Sequence, residues 1–339
     1  MNHEQTILLS HGSGGKMSRD LIRDLFMKHF GGEVLAAETD AAVLDLPPGG
    51  TVFTTDSYVV NPLFFPGGDI GRLAVCGTVN DLSVSGGRPM ALSASFILEE
   101  GLPLEVLERV VVSMAAAARE AGVAIVTGDT KVVEHGACDK IFINTAGVGV
   151  LEDAHRAIGY GSRVQAGDKV IVNGFLGDHG VAILAAREQL EIAGTVVSDA
   201  APLNGMIRTV LEKGTDVRFM RDPTRGGVAT LLCELAGRTS LGIDLQEKEL
   251  PVREEVKNIC EVFGFDPLYL ANEGKVVMVV PEEEAGGTVD LLRTLPHGSG
   301  ARIIGTITHD HPGRVVMETE IGGRRIVEML AGEQLPRIC

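Results

Sequence analysis

The chain alternates between strand-like and helix-like apolar patterns, and this alternation constrains its fold more than any other feature. In the first half, short β-type runs at residues 52–55, 90–98, 123–126 and 140–150 flank helical patterns at 70–85 and 104–121, and each helical pattern ends at glycine. Strands that alternate with helices are typical of an α/β protein in which helices cover a sheet. We therefore predict a mixed α/β fold.

A polar, glycine-rich stretch at residues 151–167 interrupts this pattern. After it, strand-like runs at 168–173, 241–245, 276–280, 301–307 and 314–318 are interspersed with helical patterns at 178–189, 206–213, 226–238 and 253–263. A length of 339 residues suits about two domains of ordinary size. We predict an N-terminal domain at 1–155, a C-terminal α/β domain at 156–330 and a tail at 331–339.

Composition excludes several classes of partner. The formal net charge is −16, and no basic stripe is present to neutralise phosphates, so we expect neither a nucleic acid nor an anionic membrane surface as partner. No apolar run reaches membrane-spanning length, and residues 1–9 lack a signal-peptide pattern. The five cysteines are scattered without a CxxC pair, which argues against structural zinc and fits a reducing cytoplasm.

The chain ends on a cysteine, in the sequence Pro336-Arg337-Ile338-Cys339. A thiolate is a strong nucleophile that can carry a group as a thioester or thiocarbamate, and a terminal residue can swing on its tail. The alternative is an incidental cysteine on a docked tail.

Five aspartates stand near the ends of predicted strands or helices, namely Asp40, Asp56, Asp81, Asp129 and Asp222. Any one of them could be a turn or cap residue. Several together in an α/β chain favour an active site, because functional loops cluster at such ends. Carboxylates that share a site repel unless a hard cation joins them, and Mg²⁺ takes a few carboxylates together with phosphate oxygens.

Glycine-rich segments add a weaker signal. Residues 11–16 (HGSGGK) precede a helical stretch but do not match the GxxxxGK[ST] phosphate loop. Arg225, Gly226 and Gly227 open a helix, whose N-terminus favours anions. No GxGxxG follows a strand, so a dinucleotide fold is not supported.

Together these segments resemble the ATP-binding superfamily of aminoimidazole ribonucleotide synthetase, which includes selenophosphate synthetase and thiamine-monophosphate kinase. The matching pieces are Asp40-Ala41-Ala42-Val43, Thr55-Asp56, the stretch from Gly71-Arg72 through Asn80-Asp81-Leu82 with Gly86-Gly87, Gly128-Asp129-Thr130 and Asp222-Pro223-Thr224-Arg225-Gly226-Gly227. Within the superfamily, residues 11–16 and the ending 336–339 resemble the HypE family of hydrogenase maturation proteins.

The resemblance implies ATP-dependent dehydration of a carbamoyl group carried on the terminal thiol to a thiocyanate. It also implies the carbamoyltransferase HypF as donor and the HypC–HypD scaffold as recipient of the cyanide, which becomes a ligand of the [NiFe]-hydrogenase iron. ATP and Mg²⁺ are the implied cofactors. The implied architecture has N-terminal strands contributing to a barrel shared between two protomers, so we expect a homodimer with a mobile C-terminal tail.

The implied roles fall on particular residues. Cys339 is the expected carrier, Asp40, Asp56, Asp81 and Asp222 the metal ligands, and Asp129 with Thr130 part of the phosphate-binding face, with Arg225–Gly227 also at the nucleotide. Lys131 is the positive charge expected near the acidic residues. Glu273 is the candidate general base for the carbamoyl nitrogen, and His135 is the alternative because its unperturbed pKa suits proton transfer near neutrality.

Two rival functions remain open on sequence grounds. Another small-molecule kinase or synthetase of the superfamily would keep its turnover after removal of residues 336–339. A non-catalytic nucleotide-binding scaffold for metal-centre assembly would bind ATP without net hydrolysis, even when carbamoylated.

Overall fold

Two β-sheets, one in each half of the chain, organise the protein. The computed structural model describes residues 6–36, 41–190, 196–332, 335 and 337–339. Over these residues no helix combines the length and the apolar character needed to cross a bilayer.

The first half builds a four-stranded sheet. Its strands and the small hairpin beside it are β1 (Gly50–Tyr58), β2 (Phe64–Phe65), β3 (Gly68–Asp69), β4 (Gly87–Glu99), β5 (Ala124–Val133) and β6 (Ile141–Leu151). The order across the sheet is β1-β6-β4-β5, in which only β4 and β5 run parallel. β2 pairs with β3 as a separate hairpin. β1 and β5 therefore form opposite edges of this sheet.

Helices cover one face of this sheet. They are α1 (Lys16–Leu21), α2 (Lys28–Phe30), α3 (Glu33–Ala36), α4 (Ile70–Val84) and α5 (Leu104–Ala121), with a π-helical turn between α1 and α2 at Ile22–Met27. α4 is almost entirely buried and contacts β1, β4, β6 and α5. It begins at Asp69, whose carboxylate accepts from the backbone N–H groups of Gly71 and Arg72 at 2.7 and 3.0 Å.

The second half builds a seven-stranded mixed sheet in the order β13-β12-β9-β11-β7-β10-β8. Its strands are β7 (Lys169–Val172), β8 (Phe219–Arg221), β9 (Gly242–Gln246), β10 (Val277–Val280), β11 (Arg302–Thr308), β12 (Val315–Glu318) and β13 (Arg324–Val327). The helices of this half are α6 (Asp178–Arg187), α7 (Asn204–Glu212), α8 (Gly227–Thr239), α9 (Glu254–Phe263) and α10 (Glu282–Arg293).

The hydrophobic core connects the two halves, through the main cluster of the first half and through Val84 of α4, which packs in a cluster of the second half. The main cluster of the first half also contains Ile183 of α6, together with Ala200, Ala271 and Ile338 from loops and the C-terminal end. Two further clusters fill the two faces of the seven-stranded sheet. Ile338, near the end of the chain, is thus packed into the main cluster of the first half, beside residues of the second half.

The predicted fold class is confirmed, with most elements at the expected places. The helix at 104–121 has the predicted bounds, and the polar stretch after residue 151 holds only a short 3-10 turn at Asp153–His155 before β7 begins. The division into 1–155, 156–330 and 331–339 stays a prediction. The prediction missed α10, β8 and β13.

Candidate functional site

The tail docks beside the segment that follows β1. The backbone N–H of Val59 donates to the carbonyl oxygen of Cys339 at 3.1 Å, and that of Asn61 donates to the carbonyl oxygen of Arg337 at 3.2 Å. The Arg337 side chain donates back to the carbonyl oxygen of Val59 at 3.0 Å and pairs with Asp139 at 2.8 Å. These contacts give the last residues a defined path along one segment of the first half.

An apolar anchor fixes the same end of the chain. Ile338 is 9% exposed and belongs to the core cluster that includes Ile183 and Ala271. Burying an isoleucine side chain contributes on the order of 1.5–3 kcal/mol. The side chain before the terminal cysteine therefore supplies much of the energy that holds the tail inward.

Cys339 lines a cavity of about 400 Å³ between the two halves of the chain. Ser57 and Val59 contribute from the first half, and Arg225, Gly226 and Ala271 contribute from the second. Burial raises the pKa of the Cys339 thiol to about 12, and the negative charges of Glu273, Asp56 and Asp222 act in the same direction against the opposing effect of Arg225. The docked thiol is therefore neutral at physiological pH.

Glu273 is a buried carboxyl group near this thiol. It lies in the loop before β10, is 3% exposed, and its Oε1 atom has no hydrogen-bond partner in the structure. Its backbone is held instead, since its N–H donates to Asp199 Oδ1 at 3.0 Å and its carbonyl oxygen accepts from Asn80 Nδ2 at 3.2 Å. Burial, followed by the charges of Asp199 and Asp222, raises the pKa of Glu273 well above its ordinary value. A fixed backbone with an unsatisfied buried carboxyl oxygen is the arrangement expected of a group whose hydrogen-bond partner is a bound substrate.

Three predicted acidic residues come together from different elements. Asp56 is on β1, Asp81 is in the last turn of α4, and Asp222 follows β8. Burial and the charge of Asp56 raise the pKa of Asp81, although the Thr54 hydroxyl, which donates to Asp81 Oδ2 at 2.9 Å, opposes the shift. Burial and the charge of Asp81 raise the pKa of Asp222 to about 7. Because like charges repel, a cation would stabilise the ionised form of this cluster.

The donor set fits Mg²⁺ in kind, since the cluster offers carboxylate oxygens and Mg²⁺ is bound by one or two carboxylates plus phosphate oxygens. Over the described residues, however, no three His, Cys, Asp or Glu side chains stand close enough to hold a metal ion by themselves. Asp40, the fourth predicted ligand, lies outside the described residues. A metal here would need oxygens from a bound phosphate to complete its coordination.

The predicted Arg225–Gly227 segment forms the turn that enters α8. Gly226 and Gly227 both have positive φ, at 74° and 60°. A Cβ at Gly227 would collide with the carbonyl oxygens of Leu268 and Leu270, so only glycine fits there. This close approach brings Arg225 to the cavity, where its Nη2 atom lies 3.9 Å from Asp56 Oδ1.

Asp129, Thr130 and Lys131 lie at a different place, on the far edge strand β5. The pairing runs from Asp56 to Thr145 on β6, from there to Ala94 on β4, and then to Gly128 beside Asp129. Three strand spacings correspond to about 14 Å. Within one chain, therefore, Asp129 and its neighbours do not join the Asp56 cluster.

The same edge carries its own cavity, of about 190 Å³, which is lined mainly by apolar residues. His11, Gly12 and Gly14 of the glycine-rich segment close it together with Asp129–Lys131. Lys131 Nζ pairs with Asp129 Oδ1 at 3.1 Å, and its side chain is 63% exposed. The structure thus joins the predicted phosphate-binding residues Asp129 and Thr130 to the glycine-rich segment, although away from Cys339.

His135 lies in the loop between β5 and β6, where its side chain is 86% exposed and pairs with Glu99 at 3.3 Å. Neither His135 nor Lys131 is among the residues that line the Cys339 cavity. Glu273 does not line that cavity either, but its charge acts on the Cys339 thiol and that of His135 does not, so within a single chain Glu273 is the better candidate base.

Sequence reasoning missed the residues that support Glu273. Asp199 Oδ2 accepts from Lys275 Nζ at 2.8 Å while Asp199 Oδ1 binds the Glu273 backbone, and both side chains of the ion pair are buried. Lys275 was visible as the charged residue two positions after Glu273. Asp199 carried no local signal, because its role depends on the packing of distant segments.

The chain is similar to known proteins over nearly its whole length. Residues 38–151 match the model of the AIR synthase related protein N-terminal domain, and residues 165–318 match that of the C-terminal domain. The carbamoyl dehydratase HypE of Rhodobacter capsulatus is 51% identical over 339 residues, which cover 99% of each protein. A crystal structure of the hydrogenase maturation protein HypE in complex with ATP is 52% identical, with a TM-score of 0.95 and coverage of 98% of this chain and 100% of that one.

A second solved structure describes a HypE–HypF complex. It is 47% identical to this chain, has a TM-score of 0.79 and covers 91% of this chain and 99% of that one.

The two consecutive domains, with acidic residues facing the cleft between them, define a protein of the AIR synthase related class. Within that class, the family follows from relatives that share about half of their residues with this chain over nearly its full length. The chain belongs to the HypE family of carbamoyl dehydratases, enzymes of hydrogenase maturation.

Proposed function

We propose that this protein dehydrates a carbamoyl group carried on the Cys339 sulfur to a thiocyanate, at the expense of ATP. The observation that carries the proposal is the docked C-terminal thiol in a cavity whose nearby buried carboxyl group, Glu273, has a free oxygen and a raised pKa. The electrostatic influence of Glu273 on the Cys339 thiol supports the two residues as base and carrier.

The chemistry requires two changes at the carbamoyl group. The amide oxygen of Cys339–S–C(=O)–NH₂ takes the γ-phosphoryl group of ATP, which turns a poor leaving group into phosphate. The C–O bond breaks as both nitrogen protons leave, one to Glu273 and one to the departing phosphate, and the products are Cys339–S–C≡N, ADP and hydrogen phosphate. Glu273 then returns its proton to solvent, so the net change in the adduct is the loss of one water.

The cluster of Asp56, Asp81 and Asp222 is the proposed metal site, with Arg225 beside it for the phosphates. Mg²⁺ held there would supply charge neutralisation for phosphoryl transfer. The crystal structure of a related HypE protein with ATP supports nucleotide binding by this fold. Asp129, Thr130, Lys131 and the glycine-rich segment form the proposed second nucleotide-contacting surface, at the β5 edge.

Exposed apolar side chains on the first sheet support a homodimer. Phe53 on β1 is 71% exposed, although it stands in the middle of a strand, and Ile97 on β4 is 43% exposed. We propose that these faces pair between two protomers, since exposed apolar side chains on a sheet mark an interface. In such a dimer the β5 residues of one protomer could approach the acidic cluster of the other.

The reaction needs a donor and a recipient. The known HypE–HypF complex supports HypF as the carbamoyl donor, and we propose the HypC–HypD complex as the scaffold whose iron receives the cyanide ligand of [NiFe]-hydrogenase. All five cysteines are free, which suits work in the reducing cytoplasm. Both partners would have to reach a thiol that is half-buried when docked, so the tail must leave its place in each cycle.

The mass of the C-terminal peptide tests the proposal. Full-length protein is incubated with HypF and its substrates, and then with Mg·ATP. We expect a carbamoyl adduct at Cys339 that loses one water only in the second step. A Cys339→Ser protein is the control that should carry no thiol adduct. An adduct that stays intact with Mg·ATP would contradict the dehydratase function, and turnover that survives removal of residues 336–339 would favour another kinase of the superfamily.

A further inference from the structure

A buried histidine contacts the tail at the residue before Cys339. His179 lies in the first turn of α6 and is completely buried. Its Nε2 atom is 2.7 Å from the carbonyl oxygen of Ile338, and its Nδ1 atom is 2.8 Å from the hydroxyl oxygen of Ser198. No step of the proposed chemistry uses this side chain.

The partners fix the position of the histidine proton. A carbonyl oxygen can only accept, so Nε2 carries the hydrogen and donates it to Ile338. Nδ1 must then accept from the Ser198 hydroxyl, whose oxygen in turn accepts from the backbone N–H of Ala200 at 3.2 Å. Burial lowers the pKa of His179, which keeps the ring neutral and in this one tautomer. The three hydrogen bonds form a chain with a single direction.

The ring is held by residues other than the tail. Phe65 meets it edge to face, with ring centroids 5.7 Å apart, and the Ser198 backbone N–H donates to Pro66 at 2.8 Å. A second group acts one position earlier on the tail, where Arg187 Nη2 donates to the carbonyl oxygen of Arg337 at 3.0 Å. Both groups bind backbone carbonyl oxygens, so they recognise the course of the tail and not its side chains.

The residue after Ser198 supports the base. Asp199 binds the Glu273 backbone N–H and the Lys275 ammonium group. Two consecutive residues thus orient the two reacting parts, because Ser198 acts through His179 on the tail and Asp199 acts directly on the loop of Glu273. Few torsions separate the fixed Ile338 carbonyl from the Cys339 sulfur.

We propose that His179, oriented by Ser198, is a positioning residue that latches the C-terminal tail in its docked place and so holds the Cys339 sulfur near Glu273. The role of the docked sulfur in the reaction rests on the proposed function. The latch itself concerns only where the tail lies. The two can therefore fail separately.

Alkylation of Cys339 measures the latch without any turnover. Full-length protein reacts with iodoacetamide, and mass spectrometry of the C-terminal peptide gives the rate at Cys339. Cys76, which is completely buried in α4, serves in the same sample as a reporter of global opening. The variants are His179→Phe, which keeps a packed ring but removes the donor, and His179→Gln, whose amide can still donate. His309→Phe makes the same change at an exposed site.

We expect His179→Phe to raise the Cys339 rate by roughly five- to tenfold, as loss of one buried hydrogen bond predicts, with no change at Cys76. His179→Gln should recover most of the protection, and His309→Phe should match the wild type. A His179→Phe rate equal to the wild type, or one that rises only in step with Cys76, would overturn the latch.

A second measurement decides the matter if His179→Phe does not fold. In wild-type protein labelled with ¹⁵N-histidine, the His179 Nε2–H should exchange slowly with solvent, and removal of residues 337–339 should speed this exchange at least about tenfold, because the proton loses its acceptor and its cover. Unchanged exchange after truncation would refute the contact. Retained slow exchange in a protein that fails to dehydrate its adduct would instead leave the latch in place and remove the proposed reaction.

Discussion

The buried ion pair behind Glu273 allows a quantitative test of how the site is held. Asp199 Oδ2 and Lys275 Nζ are 2.8 Å apart, with side chains 5% and 8% exposed. Asp199→Asn keeps the shape of the side chain but leaves the Lys275 ammonium group without its counter-charge in the interior. Removal of one partner from a buried pair costs about 3–5 kcal/mol of the free energy of unfolding. At about 2–4 °C per kcal/mol, the melting temperature should fall by roughly 6–20 °C.

Thermal unfolding followed by circular dichroism checks this value, with two controls. Asp153→Asn breaks an exposed pair with Arg156, in which the aspartate side chain is 86% exposed, and should cost less than about 1 kcal/mol. The double variant Asp199→Asn/Lys275→Met removes the orphaned charge and should recover part of the loss. A melting temperature for Asp199→Asn within about 2 °C of the wild type would show that the pair is not buried as described.

The pH dependence of this difference has a definite sign. Burial acts to raise the pKa of Asp199, but the charge and hydrogen bond of Lys275 outweigh it, so the pKa in the folded protein lies below the ordinary value of 3.8. The stabilisation is therefore fully present above the unfolded pKa and is lost as the pH falls through the lower folded pKa. The gap between wild type and Asp199→Asn should be constant near neutrality and shrink only in strong acid.

Further predictions concern the reaction itself. Asp81→Asn should weaken Mg·ATP binding by at least about tenfold while the fold survives, as measured by calorimetric titration with and without Mg²⁺; an unchanged affinity would return Asp81 to the role of a helix-end residue. Glu273→Gln should keep the carbamoyl adduct but slow its dehydration by about 10²–10⁴-fold, and the wild-type rate should rise with pH up to a pKa above that of an ordinary glutamate, because the base acts deprotonated. The alkylation rate of Cys339 should fall when Mg·ATP is added, and a rate indifferent to nucleotide would argue against a gated tail.

The fold could be predicted from the sequence wherever the apolar pattern of an element and the residues that end it indicated the same bounds. The helix at 104–121 has a clean apolar stripe and ends at Gly122 in the left-handed conformation, so both its face and its end were legible. The helix α10 could not be predicted, because Gly286 and Gly287 stand in its interior and three consecutive glutamates begin it. The edge strands β8 and β13 have three and four residues, too few to show a period.

The residues of the site also divide into those with a local signal in the sequence and those without one. Cys339, Glu273 and the aspartates of the cleft could be named because each stands in a recognisable segment of chain. The histidine that holds the tail could not, since His179 precedes Ile338 by 159 positions and meets it only through packing. The sequence also grouped Lys131 with the acidic cluster, because spacing along the chain does not reveal that β5 and β1 are opposite edges of one sheet.

On the proposed function, the docked state favours loading and dehydration as separate events. A thiol with a pKa of about 12 is almost never a thiolate at neutral pH, so a docked Cys339 is a poor nucleophile and is protected from loading. A released tail escapes the burial and the negative charges that raise this pKa, and its thiol can react with a carbamoyl donor. The carbamoyl adduct is neutral, so it returns to the cleft without the cost of desolvating a thiolate among Glu273, Asp56 and Asp222. On the proposed function, these surroundings disfavour only the thiolate, so loading requires a released tail, whereas the neutral adduct can dock for dehydration.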